Sequence, residues 1–214
     1  SGNTNICQGS FTTLTASCGG TYLWDNSATT VSIRVNPATT TSYTVTVTSA
    51  NGCTAAATAT VFVAPPPVAS VSGNTTLCAG QSTLLTASGG LTYSWNTTAT
   101  TSSITVSPAT STTYSVIVSA GTCSDTASIS VTVNPTPVAN INTASTSICT
   151  GQNATLTATG VGTYSWSTGV TTNPIIVSPT GATSYSVIVS NGNCTDTASV
   201  NISVLPPVTA TAFG

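Results

Sequence analysis

Val, Ile, Leu, Tyr and Trp recur at every second position in short runs along this chain, with Thr and Ser between them. The middle third shows the pattern best. It reads "VASVS" (68–72), "STLLTAS" (82–88), "TYSWN" (92–96), "SITVS" (103–107), "TYSVIVS" (113–119) and "SDTASISVTV" (124–133). Alternation at period two, in runs broken by Gly, Pro, Asn and Ser, predicts β-strands, here named A, B, C, E, F and G. The same parity puts Leu85, Ala87, Ile104, Val106, Val116, Val118, Ile129 and Val131 on one inner face. The opposite faces are Thr and Ser, which favour strands and tolerate water. The expected fold is all-β.

The whole pattern repeats. Trp24, Trp95 and Trp166 fall 71 residues apart, as do Tyr22, Tyr93 and Tyr164, and Tyr43, Tyr114 and Tyr185. Cys7, Cys78 and Cys149 keep the same step, whereas Cys53, Cys123 and Cys194 slip by one residue in a turn. A fixed period of this kind signals an array of like units. Pro-rich junctions at 65–67 and 135–137 mark the boundaries and are too short and stiff to be flexible linkers. The expected division is 1–64, 65–135 and 136–206, with 207–214 as the first strand of a following repeat. "SGNTNIC" at the start matches "SGNTTLC" at 72–78, so residue 1 enters a repeat already under way, lacking most of strand A. The tail "PPVTATAFG" matches "PPVASVSG" at 66–73. Either the chain is an excerpt of a longer array or it is a subunit that continues head to tail. A unit of about seventy residues has a small core and calls for covalent staples. One Trp and two Tyr per period, with Trp24, Trp95, Trp166, Tyr43, Tyr114 and Tyr185 foremost, are the expected core aromatics.

Charge narrows the function classes. Only 2% of residues are charged, against about 25% in an average protein. Arg34 is the single base, Asp25, Asp125 and Asp196 are the acids, and there is no His. No basic patch exists to neutralise phosphates, which argues against nucleic acid. No apolar run approaches the length of a membrane span. Acid–base catalysis needs paired titratable groups, and no repeat offers two carboxylates or a His to activate a Ser. Calcium asks for six to eight oxygens, mostly carboxylates, and these acids stand singly. The expectation is no catalytic residue, no metal and no cofactor. Seven cysteines beside three core-type Trp indicate an oxidising, extracellular compartment.

The run "LCAGQSTLLTASGG…YSW…SITVSPATSTTYSVIVS…CSDTASISVTV" resembles the immunoglobulin-like and PKD-like repeats of Bacteroidota cell-surface proteins, large adhesins among them. The E–F stretch also resembles fibronectin type III. The resemblance covers all three repeats and implies a tandem array of three immunoglobulin-like β-sandwiches. It implies a structural or adhesive protein, a rod or filament of modules on or outside a bacterial cell, whose partners are further repeats or copies of itself and surface glycans. The competing reading is a carbohydrate-binding array attached to a secreted hydrolase, with Trp24, Trp95 and Trp166 as sugar platforms. "SDTAS" and "TDTAS" resemble the Bacteroidota O-glycosylation motif, which makes Thr126 and Thr197 acceptors. A plain start to strand G accounts for the same residues.

The cysteines depart from antibody-type domains, whose bridge joins strands B and F. Cys78 precedes strand B at the A–B turn, and Cys123 follows strand F in the F–G hairpin. Wiring within repeats gives Cys7–Cys53, Cys78–Cys123 and Cys149–Cys194, with Cys18 left over. In a sandwich about 17–20 Å long those two loops lie at opposite ends, while bridged Cα atoms must approach within about 7 Å. In a head-to-tail stack the A–B end of one repeat abuts the F–G end of the next. The expected wiring is therefore Cys7–Cys123 and Cys78–Cys194, with Cys149 meeting a following module. Cys18, in the B–C loop, then closes on Cys53 at the leading end. A shifted strand A would restore the within-repeat pattern.

Overall fold

The computed structural model describes residues 4–210. Its described residues contain strands, turns and loops and no helix. The first repeat forms β1 (Asn5–Cys7), β2 (Thr12–Thr15), β3 (Thr21–Trp24), β4 (Ser32–Val35), β5 (Thr41–Thr48) and β6 (Thr54–Ala64). The second forms β7 (Ser70–Ser72), β8 (Thr76–Cys78), β9 (Thr83–Ser88), β10 (Thr92–Trp95), β11 (Ser103–Val106), β12 (Thr112–Ala120) and β13 (Cys123–Asn134). The third forms β14 (Asn140–Asn142), β15 (Ser147–Cys149), β16 (Ala154–Thr159), β17 (Thr163–Trp166), β18 (Ile175–Val177), β19 (Thr183–Ser190) and β20 (Thr195–Leu205).

Each repeat lays these strands into two sheets. The larger sheets run β3-β5-β6-β1, β10-β12-β13-β8 and β17-β19-β20-β15. The smaller ones run β11-β9-β7 and β14-β16-β18 and, among the described residues of the first repeat, β2-β4. Strands C, F, G against B and E, with Trp on C, is an immunoglobulin-like arrangement. One expectation needs correction. Strand A is split: β7 and β14 join strand B antiparallel, then the chain crosses to the other sheet. There β1, β8 and β15 pair parallel with the end of strand G. Cys78 therefore ends a strand opposite Asn134, not a free turn. In the second repeat the crossing falls at Gly73, whose φ of 153° few side chains tolerate.

By packing, the chain divides into two compact units. One runs through Thr75 and includes Thr83–Val106 and Thr113–Ser130; the other comprises Thr76–Ser82, Ser107–Thr112 and the chain from Val131 on. In the first unit Ile6, Leu14, Trp24, Ile33, Val35, Val45 and Val61 form a buried cluster. In the second, Ala154, Leu156, Ala158, Trp166, Ile175, Val177, Tyr185, Val187 and Ile202 do the same, with Ile141 of β14 packed on them. The alternating faces emerge as read from the chain: Leu85, Ala87, Ile104, Val106, Val116, Val118 and Val131 are buried. Ile129 is only half-buried. Of the expected strand at 207–214, residues 207–210 are exposed and in no strand, and 211–214 lie outside the described residues.

Candidate functional site: disulfide junctions and an open sheet edge

The junction chemistry follows from where strand A re-enters the sheet. In each repeat the second half of strand A ends on a cysteine opposite the last residue of strand G: Cys7 opposite Ala64, Cys78 opposite Asn134, Cys149 opposite Leu205. Strand G then passes into the next repeat. Within the first unit Cys7 is bonded to Cys123, Cα to Cα 5.4 Å, across 116 residues. Within the second unit Cys78 is bonded to Cys194, 5.8 Å apart, across the same 116 residues. Cys123 and Cys194 are 1% and 2% exposed, so each bridge is sealed on its hairpin side. Both sulfurs lie beside the carbonyl that ends the preceding strand G, 3.8 Å from Ala64 O and 3.9 Å from Asn134 O. Asn191 holds the second junction's hairpin, accepting the Cys194 N–H at 2.9 Å and donating to Pro135 O at 2.8 Å.

Cys18, Cys53 and Cys149 are free, exposed thiols. Cys18 and Cys53, expected as a bonded pair, are unbonded but line one pocket of about 220 Å³ with Gly19, Val47, Ser49, Thr54 and Ala55.

Two further residues hold strand A, and the sequence reading missed their role. Asp125 Oδ2 accepts the Ala69 N–H at 2.8 Å, and its Oδ1 accepts the N–H of Thr126. Asp196 does the same for Ala139 and Thr197. These bonds, the one from strand A foremost, hold both carboxyls below the ordinary carboxylate range. The first repeat has Ala55 at this position. The third acid, Asp25, accepts the Thr44 N–H at 2.8 Å. All three carboxylates thus serve as backbone acceptors. Among the described residues no three His, Cys, Asp or Glu side chains gather in a metal-binding group.

The aromatics are built inward. Trp24, Trp95 and Trp166 are each 3% exposed, and each indole N–H donates to a backbone carbonyl six residues on, Thr30, Thr101 and Thr172. Rings so placed offer no face to a sugar. Tyr114 and Tyr185 are buried, but Tyr43 is only half-buried. That difference belongs to a wider opening in the first repeat. Among the described residues β2 pairs with β4 alone. Ala16 and Val47 are half-buried, whereas their counterparts Ala87, Ala158, Val118 and Val189 are buried. A groove of about 250 Å³ results, with Leu14, Ala16, Trp24, Val45 and Val47 among its walls. Thr126 and Thr197 are exposed on their strands.

Fold and junctions together define a tandem array of immunoglobulin-like β-sandwiches with disulfides between successive repeats. Solved structures with a similar arrangement are titin domains I67–I69 (15% identity, 93% of this chain and 88% of that one, TM-score 0.46). Others are three N-terminal domains of the bacteriophage RB49 outer capsid protein Hoc (17%, 93% and 95%, 0.35) and a Ca²⁺-stabilised, ice-binding adhesin of an Antarctic bacterium (17%, 98% and 74%, 0.36). Such distant likeness concerns the fold and carries no ligand or activity across. No family model and no curated protein matches the chain. No helix among the described residues is long and apolar enough to cross a membrane.

Proposed function

We propose that this is a structural and adhesive extracellular protein, a stiff head-to-tail rod or filament of immunoglobulin-like modules on or outside a bacterial cell. The module boundaries are those of the sequence period, 1–64, 65–135 and 136–206, with 207–214 beginning a following module. The observation that carries the reading is the repeated junction: the same two cysteine positions bond one repeat to the next twice, at the same 116-residue spacing. A single chain needs no such bonds to keep its repeats attached; what they restrict is bending at the short Pro-rich linkers. Structural disulfides belong to oxidising compartments. Near-absence of charge lets rods pack side by side with little repulsion, and the resulting tendency to associate suits a fibre. Cys149, exposed at the end of β15, is the free thiol that a following module's F–G cysteine would take. That module comes from the same chain or from another copy. The exposed Thr126 and Thr197 are the acceptors for glycans if the Asp-Thr-Ala stretches are modified.

Electron micrographs of the native material test the reading. Long thin fibres are expected, and isolated particles would overturn it. Deleting 207–214 should leave discrete monomers if subunits join through that segment; unchanged assembly excludes the intersubunit form.

A further inference from the structure

We infer that Cys18 and Cys53 form a disulfide that closes this end of the first repeat, withdrawing Cys53 from the inter-repeat bond that its counterparts Cys123 and Cys194 make. The inference rests on the modular-array reading above and selects, of its two forms, the one in which the module after Cys149 belongs to the same chain.

In the second and third repeats the B–C loop begins with Gly89 and Gly160, at φ 110° and 135°. A β-carbon on Gly89 would stand 1.9 Å from the carbonyl oxygen of Val68, the residue that leads into β7. On Gly160 it would stand 2.7 Å from the carbonyl oxygen of Val138. A side chain at this position and an entering strand A therefore exclude each other. In the first repeat the position is Cys18, held at φ 113°. A non-glycine residue there is strained, and such strain persists only where the surroundings compel it. The lane that strand A uses elsewhere is thus occupied by a β-carbon here.

The second lock is missing as well. Ala55 stands where Asp125 and Asp196 bind the first N–H of strand A, so an entering strand would find no carboxylate. Cys53, finally, is the counterpart of Cys123 and Cys194, each bonded to the preceding repeat. Its exposed thiol would invite the same bond from a neighbour, and Cys18, on the wall of the same pocket, offers a local partner. The step balances as thiol–disulfide exchange with an oxidised dithiol carrier. Each of the two cysteines gives up one proton and one electron, the Sγ–Sγ bond forms, and the carrier's disulfide leaves as two thiols.

The test uses the full chain, treated with oxidised glutathione, alkylated without reductant, digested with pepsin and mapped by mass spectrometry. A Cys18–Cys53 peptide with loss of label at both cysteines is expected. Label on both, or a peptide joining Cys53 to Cys149 of a second copy, overturns the inference. Cys18→Gly, which removes both the thiol and the β-carbon, should convert the oxidised protein from monomer to ladders on a non-reducing gel, through Cys53–Cys149 bonds between copies. Monomers from that variant overturn the closing role. The Cys7–Cys123 and Cys78–Cys194 peptides of the same digest report separately on the array: their absence would sink the modular wiring while leaving the Cys18 pair standing.

Discussion

Removing one indole from a closed sandwich and one from an open sandwich should have unequal costs. Trp166 is 3% exposed and packs in a buried cluster with Leu156, Ile175, Val187 and Ile202. An indole buries roughly 200 Å², which at about 25 cal/mol per Å² corresponds to about 5 kcal/mol of transfer free energy. The lost bond from Nε1 to Thr172 O, 3.1 Å long, removes about 1 kcal/mol more, while collapse around the alanine and residual burial in the unfolded chain return part. Trp166→Ala should therefore cost roughly 3–5 kcal/mol. Trp24 makes the same bond to Thr30 O but lines the groove of about 250 Å³ beside β2. The space it vacates joins an opening that water already reaches, so little sealed void is created. Trp24→Ala should cost about 1–2 kcal/mol less, the spread that cavity volume produces at fixed chemistry. Native-state hydrogen exchange suits an array, because it reads each sandwich's opening separately where a single melting midpoint would merge them. Protection at Val187 and Val189 should fall by between two and four powers of ten in Trp166→Ala, at about 1.4 kcal/mol per tenfold. Unchanged protection would mean that the ring is not in the core. Equal losses in the two variants would mean that the groove is filled in solution.

Two further outcomes follow from strand A. Gly89→Ala places a β-carbon against Val68 O at a φ of 110° and should destabilise by at least about 1–3 kcal/mol, with exchange at Ala87 rising first. Gly19→Ala, with nothing within 4 Å of its β-carbon, is the control and should leave exchange unchanged. The carboxyls of Asp125 and Asp196 are held below their ordinary value in the folded state, so the stability they contribute is present above the unfolded carboxylate pKa and is lost as pH falls through the folded one. Protection of the Ala69 and Ala139 amides should drop over that acid range, and Asp196→Ala should abolish the acid dependence in the third repeat alone. Acid dependence that survives this variant would assign it to another group.

Much of the architecture is legible along the chain because it is set by neighbours in sequence. Period-two alternation needs only the geometry of an extended backbone, so the faces of strands B, E, F and G were readable, as was the inward Trp of strand C. The 71-residue recurrence of Trp, Tyr and Cys needs no folding argument at all. What alternation cannot express is which sheet a short segment joins. "TLC" at 76–78 pairs parallel with 132–134, and only that long-range pairing makes Cys78 the end of a strand. Tyr43 occupies a core position by its spacing yet is half-buried, because burial depends on what covers a residue, and among the described residues β2 pairs with β4 alone. Asp125 looked like part of a modification motif because its bond partner, Ala69, lies 56 residues away. Cys18 is the sharpest case. Its oddity among three like loops is plain in the sequence, but that its β-carbon stands where another repeat's chain would pass is decided by tertiary packing, since only packing puts the glycine at this position against Val68 or Val138.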